Sequence, residues 1–121
     1  MINIQRLTNV LSIPSVSGDE DRMRDYLINE LNQRNISNYT DKYGNIYAVK
    51  GNTDHFPCVI AHIDTVHPIT DFTVVEDNYM LSAIKSDGSP TGIGGDNKAG
   101  VFVCLELLDH FDNITAAFFV S

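Results

Sequence analysis

Apolar residues recur along the chain with two different periods, and the alternation between them sets out its elements. Over residues 2–12, Leu7, Val10 and Leu11 fall on one helical face, and Pro14 prevents continuation, so a first helix ends near Ser12. Ser17-Gly18-Asp19-Glu20 follows as a capping box, with the Ser17 hydroxyl and the Glu20 carboxylate expected to satisfy free amides at a helix start. Met23, Tyr26, Leu27 and Leu31 then form one stripe of a second helix through about Arg34.

From Ile36 the period shortens. Ser37–Asp41 and Ile46–Lys50 flank a polar turn, Lys42-Tyr43-Gly44-Asn45, and predict a β-hairpin. Pro57-Cys58-Val59-Ile60-Ala61 is a short apolar run that suits a central strand buried on both faces and ending at His62. Phe72–Val75 and Tyr79–Ile84 predict two more strands. A loop at Ser86–Gly95 leads into a helix over Asp96–Phe111, apolar nearly all round and so largely buried. Ile114–Val120 reads as an interior strand, and a chain ending there is expected to be a piece of a longer protein.

This order of elements predicts one α/β domain over residues 1–121, without internal repeat, low-complexity tract or linker. At 43% hydrophobic residues the chain can bury a core, and its net charge of -8 opposes a nucleic-acid backbone or an anionic membrane as partner. No stretch has membrane-spanning length and the start lacks a secretion signal, so the expected location is cytoplasmic. Three glycosylation sequons, at Asn35, Asn38 and Asn113, are then chance matches. Cys58 and Cys104 form no close-spaced pair and read as buried small hydrophobes.

Two clusters carry chemistry. The first, His62-Ile63-Asp64-Thr65-Val66-His67-Pro68, lies at the carboxyl end of a predicted strand, where α/β sheets place ligands. His62 is a candidate metal ligand, and Asp64 can hold the other ring nitrogen. A core histidine beside a turn aspartate is the plainer alternative. The second, Gly92-Ile93-Gly94-Gly95-Asp96-Asn97-Lys98-Ala99-Gly100, runs from a glycine-rich loop into a helix. Its spacing fits neither the dinucleotide fingerprint nor a phosphate loop, which leaves a nucleotide-binding module as an outside alternative. Asp96 at the helix start is either a simple N-cap or a carboxylate poised for cations. His55, His67 and His110 fit loop, turn and helix-end positions, and Lys98 and Glu106 read as charges at the helix start or on its surface.

The succession Ile13-Pro14-Ser15-Val16-Ser17-Gly18, Gly44-Asn45, His62-Ile63-Asp64-Thr65-Val66 and Gly92–Gly100 resembles the aminoacylase, carboxypeptidase G and peptidase T family of zinc hydrolases over almost the whole chain. That resemblance implies the first half of a catalytic domain with a three-layer α/β sandwich and a mixed sheet. It implies that His62 binds one zinc, that Asp96 bridges two, that Asp64 orients His62, and that Asp96–Asn97 is a cis peptide. Two Zn2+ ions would serve the complete enzyme, with Co2+ or Mn2+ as substitutes, and the substrate would be a small peptide or an N-acyl amino acid. Assembly as a homo-oligomer is compatible with the family. The family's general base, a glutamate of a Glu-Glu pair, and its remaining ligands lie beyond the match, as does the lid domain. The chain alone is expected to be inactive and to bind zinc weakly, if at all. A non-catalytic fragment or pseudo-enzyme acting by association is the rival reading.

Overall fold

The computed structural model describes residues 3–66 and 70–121. Helices α1 (Ile4–Leu11) and α2 (Asp21–Gln33) precede strands β1 (Ser37–Thr40), β2 (Ile46–Lys50) and β3 (Cys58–His62). Then come β4 (Phe72–Asp77), β5 (Met80–Lys85) and β6 (Pro90–Thr91), helix α3 (Gly95–His110) and strand β7 (Ile114–Phe119). A four-stranded mixed sheet has the order β1-β2-β7-β3, in which β7 runs parallel to β3 and antiparallel to β2. The antiparallel sheet β4-β5-β6 is inserted between β3 and α3. Its β4–β5 reversal uses Asn78 and Tyr79, both left-handed (φ 48° and 65°), a conformation that suits a two-residue hairpin turn.

The fold is thus α/β with a mixed sheet, as expected. Among the described residues, two of the three anticipated layers are present. The α2 stripe of Met23, Leu27 and Leu31 joins Val101, Cys104, Leu105 and Leu108 of α3 on one face of the sheet, over Ile46, Ala48, Ile114, Ala116 and Phe118. Burial of each of these leucines contributes about 2 kcal/mol. The ion pairs of Arg6 with Glu106 and Asp109, each at 2.7 Å, fasten α1 to α3, and Arg34 reaches Asp109 from the end of α2.

Three expectations change. The run Cys58–His62 forms an edge of the described sheet, because β7, later in sequence, takes the central place between β2 and β3. Ile60, 61% exposed, and Cys58, also exposed, lie on the sheet face that no described helix covers, while Ala61 on the other face is buried; Cys104 is buried as predicted. Ser17 and Glu20 form no capping box. Glu20 is instead the N-cap residue of α2, and its carboxylate accepts from the Gly18 amide and from the amide and hydroxyl of Ser121. Lys98 is no surface charge, being only 2% exposed. No described helix is long and apolar enough to cross a membrane.

Candidate metal centre

The parallel pairing of β3 with β7 delivers His62 to the carboxyl end of the sheet opposite Phe119. The chain then leaves the sheet. Ile63 is fully buried, and its amide still donates to the Phe119 carbonyl at 2.8 Å. Beyond it, Thr65 pairs with the segment after α1, donating from its amide to Ser15 (2.8 Å) and accepting from the Ser17 amide (2.9 Å). Asp64, between these two anchors, turns back toward the His62 ring.

The second element is the start of α3. Gly94 takes a left-handed conformation (φ 72°), and a Cβ there would stand 3.0 Å from Thr65 Cγ2. A glycine is therefore needed both for the backbone and for the close approach of the two segments. Asp96 and Asn97 are non-helical and joined by a cis peptide, in agreement with the expectation drawn from the resemblance. Asn97 Oδ1 accepts from the Gly100 amide at 3.1 Å, the bond of a helix N-cap. A Cβ on residue 100 would collide with that Asn97 side chain, which accounts for Gly100. Asp96 is consequently not the capping residue, and its carboxylate is spare for other work.

The two elements meet at the imidazole. His62 Nδ1 lies 3.0 Å from Asp64 Oδ1, and His62 Nε2 lies 2.9 Å from Asp96 Oδ1. Burial alone would lower the His62 pKa, but its hydrogen bonds to Asp64 and Asp96 outweigh that and raise it above the ordinary histidine value. For Asp64, burial pushes upward, and hydrogen bonds from Ser17 and His62 more than offset it and hold the carboxylate below its usual range. With both nitrogens protonated the ring donates to two carboxylates. With Nδ1–H alone it turns a free Nε2 lone pair toward Asp96.

All three predicted residues thus converge, although 34 positions separate His62 from Asp96. His55 and His110 stand outside the cluster, and His67 lies outside the described residues. One participant and one neighbouring feature escaped the sequence reading. Ser17 Oγ donates to Asp64 Oδ2 at 2.5 Å, a long-range contact that no local motif announces. Lys98 points inward, donating to the Leu11 carbonyl at 3.1 Å and lying 5.3 Å above the Phe72 ring. Desolvation lowers its pKa to about 8. Its only advance signal was membership in the Gly92–Gly100 motif.

A single small cation could be held by His62 Nε2 and Asp96, since both donor atoms are of types that zinc accepts and the second imidazole nitrogen is already engaged. Among the described residues, no group of three His, Cys, Asp or Glu is placed to hold a metal. The donor set fits a metal centre in part.

No protein-family model matches this chain, and no curated protein matches it. Solved structures do. A tripeptidase from Staphylococcus aureus superposes with a TM-score of 0.75 at 23% identity, over 98% of this chain and 36% of that one. An aminoacylhistidine dipeptidase from Vibrio alginolyticus gives 0.78 at 21% identity, over 97% of this chain and 27% of that one. Aminopeptidase PepT from Bacillus cereus gives 0.74 at 19% identity, over 97% and 36%. The chain spans about a third of the length of these proteins or less. Nearly all of it therefore has the fold of part of these peptidases.

Proposed function

We propose that this chain is part of a metal-dependent peptidase or amidohydrolase of the aminoacylase, carboxypeptidase G and peptidase T family, and that it contributes His62 and Asp96 to a dinuclear centre. The observation that carries the reading is the Asp64–His62–Asp96 line, in which one carboxylate holds the ring and a second, 93% exposed at its side chain, faces the other ring nitrogen. Asp64 sets the tautomer, so that Nε2 offers a lone pair. Asp96, relieved of capping by Asn97, keeps lone pairs for one cation or two. Bound metal ions, as zinc pairs do, would supply Lewis acidity toward an amide carbonyl and a nucleophilic water near neutral pH. The substrate class is a small peptide, on the likeness to the tripeptidase and the dipeptidase, or an N-acyl amino acid, on the family resemblance in the sequence. A general base and further ligands must come from outside these residues, which makes the chain alone inactive.

Calorimetric titration of the chain with Zn2+ or Co2+ tests the reading. Weak binding that disappears in both His62→Ala and Asp96→Ala supports it. Equal retention by all three proteins refutes it. A nucleotide-binding role is disfavoured because the exposed Asp96 carboxylate stands where a phosphate would approach the α3 N-terminus.

One observation favours association as a second reading. Tyr39 and Ile60, each 61% exposed, and Val49, 39% exposed, lie on the sheet face away from the helices. Sedimentation of the chain as a concentration-independent monomer would remove it.

A further inference from the structure

Asp64 can orient His62 only if something orients Asp64. A carboxylate engaged through one oxygen swings easily about its broad terminal torsion. Here both oxygens are taken, Oδ1 by His62 Nδ1 at 3.0 Å and Oδ2 by the Ser17 hydroxyl at 2.5 Å. Ser17 is itself held. Its amide donates to the Thr65 carbonyl at 2.9 Å, and Val16 and Thr65 form an isolated parallel bridge, so residues 15–17 lie as a short strap against 64–65. The Ser17 hydroxyl also lies 3.2 Å from the Thr65 carbonyl, a longer and weaker contact than that to Asp64, and it does not cap α2, whose N-cap is Glu20.

We propose that Ser17 is a positioning residue of this site, fixing the Asp64 carboxylate so that His62 keeps its proton on Nδ1 and turns Nε2 toward Asp96. The chain of hydrogen bonds runs Ser17 Oγ–H to Asp64 Oδ2, then Asp64 Oδ1 to the Nδ1–H of His62. Its consequence for a cation rests on the function proposed above, whereas the tautomer it selects does not. Removing the hydroxyl leaves Asp64 with a single partner and lets the ring sample the other tautomer.

The test begins on the metal-free Asp96→Ala chain, which lacks the carboxylate that would otherwise also accept from Nε2 at 2.9 Å, with imidazole 15N–1H correlation spectra recorded where His62 is neutral. With Ser17 in place this chain should show predominantly the Nδ1–H tautomer, since Asp64 is then the one carboxylate beside the ring. Ser17→Ala should convert it to a mixture with at least a twofold smaller Nδ1–H share, and Ser17→Thr, which keeps the hydroxyl at an exposed position, should restore it. Ser17→Cys, close in shape but a weak donor, should fall between them and covers the case of an unfolded alanine variant. Where wild type binds Co2+, Ser17→Ala should weaken binding about tenfold, as losses of such outer partners do. His62 signals that superimpose with and without the Ser17 hydroxyl in that background would overturn the proposal. Failure of wild type to bind Co2+ would count against the metal reading alone, since the tautomer measurement still decides the role of Ser17.

Discussion

Two aspartates flank one histidine at nearly equal distance, 3.0 Å for Asp64 and 2.9 Å for Asp96, yet their surroundings differ completely. The Asp64 side chain is 18% exposed and has both oxygens engaged by Ser17 and His62. The Asp96 side chain is 93% exposed, and the neighbouring Asn97 has taken over the capping role. A carboxylate whose lone pairs are spent on protein donors is an orienting group. One whose lone pairs face solvent beside a ring nitrogen is available to a cation. Chemical identity is the same in the two cases, and the strand-end and helix-start settings separate the roles.

The sharpest way to break this comparison is to exchange the losses. Asp96→Ala should reduce Zn2+ affinity of the chain by 100-fold or more, because a donor is removed outright. Asp64→Asn should cost about 10–100-fold, since it removes only the partner that orients a donor. Equal losses in parallel titrations would erase the distinction. Next in size is the contact that brings the two settings together. Gly94→Val puts a branched side chain at φ 72° against Thr65, and should cost roughly 2–3 kcal/mol in urea unfolding through left-handed strain and crowding.

Lys98 tests the interior between the end of α1 and the start of α3. Its pKa is lowered to about 8 in the folded chain, so above that pH the unfolded chain binds the extra proton and stability should rise toward alkaline pH. Between pH 7 and 9.5 the rise should be about 1–2 kcal/mol and absent in Lys98→Met, as unfolding midpoints at several pH values will show. The smallest effect belongs to Glu20, at the foot of the Ser17 strap. Burial raises its pKa, but hydrogen bonds from Ser121 and Gly18 prevail and hold it below the ordinary glutamate value. Its contribution is present above that value and lost as pH falls through the lower folded one. Glu20→Gln should flatten this acid limb by about 1 kcal/mol or less.

Much of the fold was legible because it is written in local periods. The α2 stripe of Met23, Leu27 and Leu31, the Ser37–Lys50 hairpin and the buried β7 each follow from spacing within a dozen residues. The place of β3 was not, because an apolar run of five residues suits a central or an edge strand alike, and the order of strands depends on β7. Likewise local spacing marked His62, Asp64 and Asp96 only as candidates, and it was the family resemblance that implied their meeting, which the structure shows at 3.0 and 2.9 Å.

By itself the sequence determined the element types, the apolar faces and the candidate residues for a cation, since side-chain chemistry and periodicity are properties of neighbours along the chain. Only the tertiary structure decided that Ser17 serves Asp64, that Asn97 rather than Asp96 caps α3, and that Lys98 lies inside. Those outcomes depend on distances between segments tens of residues apart, and a hydrogen bond forms or fails within a few tenths of an ångström.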